Sequence, residues 1–192
     1  MENCDHVNLE KTVVTKNFLT HTFTSNGRKC TDCGATLWDN NLNAEFHSWL
    51  KDLDLENQKQ FMISKDTEHL LQEFMRQNFC KDESSTIRAI ISVVNNSMSD
   101  PVRNKIFSDV LATEDFRNLE SAPTTVSKKV RINNPKGLYD FEVWKEILQM
   151  NDSEFIRTSV LLMLTIGKQV NNQFYKFWNE HFKDLFEVVL AA

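Results

Sequence analysis

One stretch of this chain occurs twice, at a constant offset of 69 positions. The first copy opens Gln60-Phe61-Met62-Ile63-Ser64, passes through Leu70-Leu71-Gln72-Glu73-Phe74-Met75 and closes on Glu83-Ser84-Ser85-Thr86-Ile87-Arg88. The second opens Lys129-Val130-Arg131-Ile132-Asn133, passes through Tyr139-Asp140-Phe141-Glu142-Val143-Trp144 and closes on Asp152-Ser153-Glu154-Phe155-Ile156-Arg157. Ile63 maps onto Ile132, Phe74 onto Val143, Ser84 onto Ser153, Ile87 onto Ile156 and Arg88 onto Arg157, with no gap. Two copies are too few for a solenoid, so the pattern predicts one structural unit used twice.

Each copy reads as a strand followed by two helices. From Gln58 to Ser64, Phe61 and Ile63 fall on one side and Gln58, Gln60 and Met62 on the other. In the second copy Val130 and Ile132 point inward, and Ser127, Lys129 and Arg131 point outward. Lys59 and Lys128 fall on the inward side. Either they lie beyond the packed part of the strands, or the register shifts there. Asp66 is the expected N-cap of a helix through Gln77, with Leu70, Leu71, Phe74 and Met75 as its apolar stripe. Asp82 or Ser84 then caps a second helix carrying Ile87, Ile90, Ile91 and Val94. In the second copy Asn134-Pro135 opens the first helix, with the stripe Phe141, Trp144, Ile147 and Leu148. Asn151-Asp152-Ser153 caps the second, which carries Ile156, Val160, Met163 and Leu164.

A short strand and two helices, with Ser-x-x-Ile-Arg at the start of the second helix, resembles the ribbon-helix-helix family of DNA-binding proteins. The resemblance covers residues 58–96 and 127–166, and Asp152-Ser153-Glu154-Phe155-Ile156-Arg157 is its most specific part. It implies that the two strands pair into an antiparallel ribbon, which enters the major groove of double-stranded DNA and reads base edges. The expected readers are Gln58, Gln60, Met62, Ser127, Lys129 and Arg131. Arg131 and Lys129 suit guanine N7 and O6, Gln60 suits adenine, and Met62 suits a thymine methyl. The second-helix N termini near Ser84 and Ser153 would offer N–H groups to phosphates. A lone strand is unstable, so pairing is needed. It can occur within one chain, as a monomeric pseudo-dimer, or between two chains of a homodimer. Fusion of two copies favours the first.

The N-terminal region carries a second pattern. Cys4-Asp5-His6 is followed, after twenty-three residues, by Cys30-Thr31-Asp32-Cys33-Gly34. Two close pairs of soft ligands suit tetrahedral zinc, with Cys4, His6, Cys30 and Cys33 as ligands. Gly34 eases the bend of a knuckle. Between the pairs lie the β-like runs Thr12–Thr15 and Phe18–Thr24, and Ser25-Asn26-Gly27-Arg28 is the expected hairpin turn. The region resembles a small zinc ribbon. Four protein ligands leave no place for an activated water, which argues against a zinc hydrolase. No βαβ pattern surrounds Cys30 and Cys33, which argues against thioredoxin-like redox chemistry. His21 and His47 are spare. Glu45, Asp52 and Asp54 read as a solvated helix face, and no catalytic constellation is evident.

The rest is helical in pattern. Leu42 to Leu55 forms an amphipathic helix on Leu42, Phe46, Trp49, Leu50 and Leu53. Asp100-Pro101 opens another, with Val102, Ile106, Phe107, Val110, Leu111 and Phe116 on its apolar side. Lys168 to Leu190 carries the aromatic stripe Val170, Phe174, Phe177, Trp178, Phe182, Leu185 and Phe186. The expected fold is mainly α with short β-strands: an N-terminal zinc ribbon, then two ribbon-helix-helix units, each with an extra helix. The expected divisions are 1–40 zinc-ribbon-like, 41–57 connecting helix, 58–120 first unit, 121–126 linker and 127–192 second unit.

The net charge of −5 argues against nucleic acid only weakly, because uncharged helix-terminal donors partly offset it. The longest apolar run, Val160–Leu164, is far too short to span a bilayer. No basic and apolar leader opens the chain, so a cytoplasmic location is expected. The leading expectation is a non-enzymatic, sequence-specific regulator of transcription, such as a repressor, holding structural zinc. The alternative within DNA binding is a plasmid or mobile-element accessory factor, acting at an origin of transfer in conjugation or at a partition site. The alternative from another class is a zinc-stabilised protein-interaction module, engaging a partner through the zinc ribbon or the C-terminal helix.

Overall fold

The computed structural model describes residues 4–18, 21–53, 58–132, 135–169 and 172–191. The chain divides into two units: Met1–Leu55 with Asn134–Tyr139, and Glu56–Asn133 with Asp140–Ala192. Among the described residues, no helix is long and apolar enough to cross a membrane.

The first unit is a three-stranded antiparallel sheet with one helix on it. Strands β1 (Leu9–Phe18), β2 (His21–Cys30) and β3 (Thr36–Leu37) lie in the order β1-β2-β3. Helix α1 (Asn40–Lys51) starts where the Asp39 carboxylate accepts the Leu42 N–H at 2.9 Å. Its buried residues Leu42, Phe46 and Leu50 recur every four positions and face the sheet. Phe23 of β2 meets Phe46 and Trp49 at centroid distances of 5.2 and 5.5 Å. The Lys16 ammonium lies 4.9, 4.7 and 4.6 Å from the ring centroids of Trp38, Phe46 and Tyr139.

Asn26-Gly27 is not the expected hairpin turn. Both residues sit inside β2, paired with Val13 and Thr12. The strands instead meet at Phe18↔His21, and Leu19 and Thr20 lie outside the described residues. Gly27 answers a packing need: a Cβ there would stand 2.3 Å from Val14 Cγ2.

The second unit is built on a two-stranded antiparallel ribbon, β4 (Gln58–Ile63) with β5 (Val126–Arg131), both from one chain. Five helices fill out the two halves before and after β5: α2 (Lys65–Gln77), α3 (Glu83–Ser97), α4 (Pro101–Leu111), α5 (Glu114–Ser121) and α6 (Pro135–Ile147, within this unit from Asp140). Then follow α7 (Asp152–Gly167), α8 (Tyr175–Phe177), a π-helical turn (Trp178–Phe182) and α9 (Lys183–Ala191). Phe61, Ile63, Val130 and Ile132 are buried beneath the ribbon. Helix α7 packs on β4 and α3 packs on β5, so each strand is covered by the other copy's second helix. From Phe155 to Gly167 only Arg157 and Thr158 of α7 are not buried, which makes it the central helix.

The caps are local. Ser64, not Asp66, caps α2 through the Thr67 N–H. Asp82 caps α3 and Asn151 caps α7, the latter with a capping box closed by Glu154. Asp82 and Asn151 are again 69 apart. Thr113 interrupts the helix expected through Phe116, since its hydroxyl accepts the Phe116 N–H and starts α5 separately.

The first helices of the two copies do not match residue for residue. Phe74 is buried, whereas α6 buries Leu138 and Phe141, and Ile147 and Leu148 are 59% and 39% exposed. The expected α6 stripe is therefore shifted toward its N-terminal half. The C-terminal aromatic stripe faces the unit's own core. Phe74 meets Trp178 and Phe186 at 5.2 and 5.3 Å, and Phe107 stacks on Phe182 at 5.5 Å. That face of the C-terminal region is thus already covered. Val170 and Asn134 lie outside the described residues. Gly167 ends α7 where a Cβ would come within 2.7 Å of the Phe74 ring.

Candidate functional sites: a four-ligand cluster and an exposed ribbon face

In the first unit the sheet brings both ligand pairs to one end. Leu9 pairs with Cys30 at the mouth of the hairpin, so the segment before β1 runs alongside the turn after β2. The Thr31 N–H donates to Asn8 O at 3.0 Å, and the Asn8 amide donates to the Asp32 carboxylate at 3.1 Å. The turn itself closes through Gly34 N–H to Cys30 O at 2.9 Å, with Gly34 at φ 75°. His6 is also in the left-handed region, at φ 51°.

The outcome is a cluster of Cys4, His6, Cys30 and Cys33, whose ligand atoms all lie within 4.8 Å of one another and could hold a metal ion. Cys4 Sγ is 3.6 Å from Cys30 Sγ, and Cys33 Sγ is 3.4 Å from His6 Nδ1. The sulfurs are not bonded, because a disulfide holds them about 2.05 Å apart. The His6 side chain, then the Cys33 N–H, bring the Cys30 thiol down to about 6, which favours the thiolate. The Cys4 thiol is pulled down by the His6 backbone, but the neighbouring Cys30 and Cys33 sulfurs outweigh this and raise it. Asp54 lies outside the described residues.

In the second unit the ribbon alternates as its sequence predicts. Gln58, Gln60, Ser127, Lys129 and Arg131 are exposed, and Met62 is half-buried on the same face. Across the strands Gln58 stands opposite Arg131, Gln60 opposite Lys129 and Met62 opposite Ser127. The Gln60 amide donates to Ser127 Oγ at 2.9 Å. Among the described residues no carboxylate pairs with Lys129 or Arg131.

The inward lysines are settled by the fold: the register holds, and both ammonium groups are paired beneath the ribbon. Lys59, 15% exposed, reaches Asp152 at 2.7 Å and Glu142 at 3.2 Å. Lys128, 11% exposed, reaches Glu68 and Glu83, each at 2.8 Å. Glu83 and Asp152 are equivalent positions at the starts of α3 and α7. Each strand therefore binds the second helix of the other copy. Burial alone would raise the Asp152 carboxyl, but the Lys145 and Lys59 ammonium groups outweigh it and lower it. Burial likewise opposes the charge on Lys128, and Glu68 and Glu83 raise it nonetheless.

Ser84 and Ser153 both occupy the second position of their helices, partly buried. These helix starts already hold carboxylates. Asp82 accepts the Ser85 N–H at 2.8 Å and is held below its ordinary range by it. A phosphate at the α3 start would compete with that carboxylate. Sequence reasoning did not foresee the Lys59 and Lys128 pairs. The shared 69-residue offset of Lys59/Lys128 and Glu83/Asp152 was the available signal.

No family model matches this chain, and no match was found among curated proteins or solved structures.

Proposed function

We propose that this chain binds double-stranded DNA sequence-specifically, without catalysis, as a regulator of transcription. In this reading its two strand-helix-helix copies are ribbon-helix-helix units folded on each other, and the β4–β5 ribbon enters the major groove. The observation that carries it is the outer ribbon face. Six side chains from two paired strands stand on one surface, every one able to donate a hydrogen bond or touch a methyl group, with two cations and no acid. A two-stranded ribbon is one of the few elements a major groove admits. An overall charge of −5 is compatible with this, because the face itself carries Lys129 and Arg131.

The metal is zinc in this reading, and its role is structural. Ligands at zinc–sulfur and zinc–nitrogen distances of about 2.3 and 2.0 Å stand about 3.8 Å (S to S) and about 3.5 Å (S to N) apart in a tetrahedron. The sulfur pair at 3.6 Å and the sulfur–nitrogen pair at 3.4 Å support that geometry. Four side-chain ligands close the sphere, so the ion would hold the first unit together and offer no site to a substrate.

The test combines Arg131→Ala with Gln60→Ala in the full chain. Fluorescence anisotropy should show specific affinity for a selected duplex falling by tenfold or more, with a shallower salt dependence. Unchanged affinity and an unchanged salt slope would show that the ribbon is not the reader.

A further inference from the structure

The strand register fixes where the two copies exchange places. Each cross-strand pair sums to the same total, and Gln60↔Lys129 is the one pair whose members are themselves 69 apart. The pseudo-two-fold axis of the ribbon therefore passes between Gln60 and Lys129. Gln58↔Arg131 on one side maps onto Ser127↔Met62 on the other. The two ends of the face are thus equivalent in backbone and unlike in chemistry. One end presents a guanidinium and an amide. The other presents a thioether and a hydroxyl, and that hydroxyl already accepts from Gln60 at 2.9 Å. At the centre, the amide of Gln60 is held toward the neutral end, while Lys129 has no acid to hold it among the described residues.

We infer that the ribbon reads a polar, non-palindromic site, in which the half beneath Gln58 and Arg131 contains guanine and the half beneath Met62 and Ser127 does not require it. This rests on the DNA-binding reading above. Outward side chains at Gln58, Gln60 and Met62 span about 14 Å at about 3.4 Å per residue. That is about four base pairs at 3.4 Å each. Arg131 donates two parallel hydrogen bonds to guanine O6 and N7, and Lys129 supplies a further donor at the axis. Gln58 beside it suits adenine N6 and N7. Met62 offers only apolar contact, which suits a thymine methyl. A homodimeric ribbon presents the same residues at both ends and so reads a palindrome. Here both strands come from one chain, so nothing enforces that equality.

The experiment selects bound duplexes from a random pool with the full wild-type chain, then measures affinities for the recovered site and its single-base variants. The expected motif lacks two-fold symmetry and has guanine in one half. Arg131→Ala, with an unaltered circular dichroism melt, should reduce discrimination at that guanine by about 10- to 100-fold. The pair Met62→Arg with Ser127→Gln makes the two ends alike and should shift the recovered motif toward a palindrome. A palindromic motif from the wild type, or a guanine preference that survives Arg131→Ala, overturns the polarity while leaving DNA binding intact. Failure to enrich any sequence overturns the DNA-binding reading itself, and the polarity with it.

Discussion

Replacing Lys128 with methionine should damage the second unit more than replacing Lys59, although the two lysines are equivalent by the repeat. Methionine keeps most of the apolar stem and removes the charge. Among the described residues Lys128 is the only ammonium placed on Glu68 and Glu83, at 2.8 Å from each. Its loss leaves two partly buried carboxylates facing a thioether. Exposed ion pairs contribute about 0.5 kcal/mol each, and breaking a buried one costs about 3–5 kcal/mol. At 11% exposure for the lysine, and 37% and 29% for the acids, Lys128→Met falls between, at about 2 kcal/mol. Around Lys59 the arrangement differs. Lys145 also contacts Asp152, at 2.6 Å, and pairs with Glu142 as well. With Lys59 gone, one ammonium still serves both acids, so Lys59→Met should cost about 1 kcal/mol or less. Urea denaturation followed by far-UV circular dichroism measures both variants. A double-mutant cycle of Lys128→Met with Glu83→Gln then isolates one pair. Equal losses in the two single variants, or a coupling below about 0.3 kcal/mol, would refute the reasoning.

In the second unit the contribution of these same ion pairs to stability should be flat between two limbs. Asp152 lies below its ordinary 3.8, so its contribution is present above pH 3.8 and is lost as pH falls through its lower folded value; Asp152→Asn should soften that acid limb in pH-dependent urea melts. Lys128 and Lys145 lie above their ordinary 10.5, so their contribution is complete below pH 10.5 and is lost as pH rises through the folded values. Elemental analysis should find one zinc per chain, and Cys33→Ser or a chelator should lower the metal content and the tryptophan fluorescence transition of the first unit; an unchanged melt without metal would show that the ion holds nothing together. Gly27→Ala places a Cβ 2.3 Å from Val14 Cγ2 and should cost about 1–3 kcal/mol, with Val14→Ala in the same chain restoring part of it in thermal melts. Asn151→Ala removes the side chain that takes the Glu154 N–H at 3.0 Å and should cost about 1 kcal/mol.

What could be read from sequence was whatever depends on near neighbours. The alternation of Phe61 and Ile63 with Gln60 and Met62 is a two-residue pattern, and the ribbon displays it. Cys30 and Cys33 lie in one tight turn, and the pairing of Cys4 and His6 with them needed only a hairpin of matched strands. The misreadings involve distant partners. Lys59 looked misplaced because its acids lie 83 and 93 positions away. Asn26-Gly27 has the composition of a turn, but Gly27 serves the close approach of Val14 from the neighbouring strand. Ile147 and Leu148 continue a helical stripe yet stay exposed, because a stripe does not say where its covering helix ends. Nothing in the one-dimensional pattern located the axis between Gln60 and Lys129; it emerged only once the register was known.

The crossed packing of the ribbon also dictates an order of events during synthesis. Gln58 leaves the ribosome long before its partner Arg131 exists, and β4 has neither its ladder nor the α7 helix that covers it until the second copy follows. Closing so long a loop must be paid in chain entropy before any contact rewards it. A nascent chain truncated after α5 should therefore carry β4 with an open edge and with Phe61 and Ile63 uncovered, the kind of edge that recruits other chains. The short helix pair α4 and α5, between the copies, is then more than a spacer: it sets how long that exposed interval lasts.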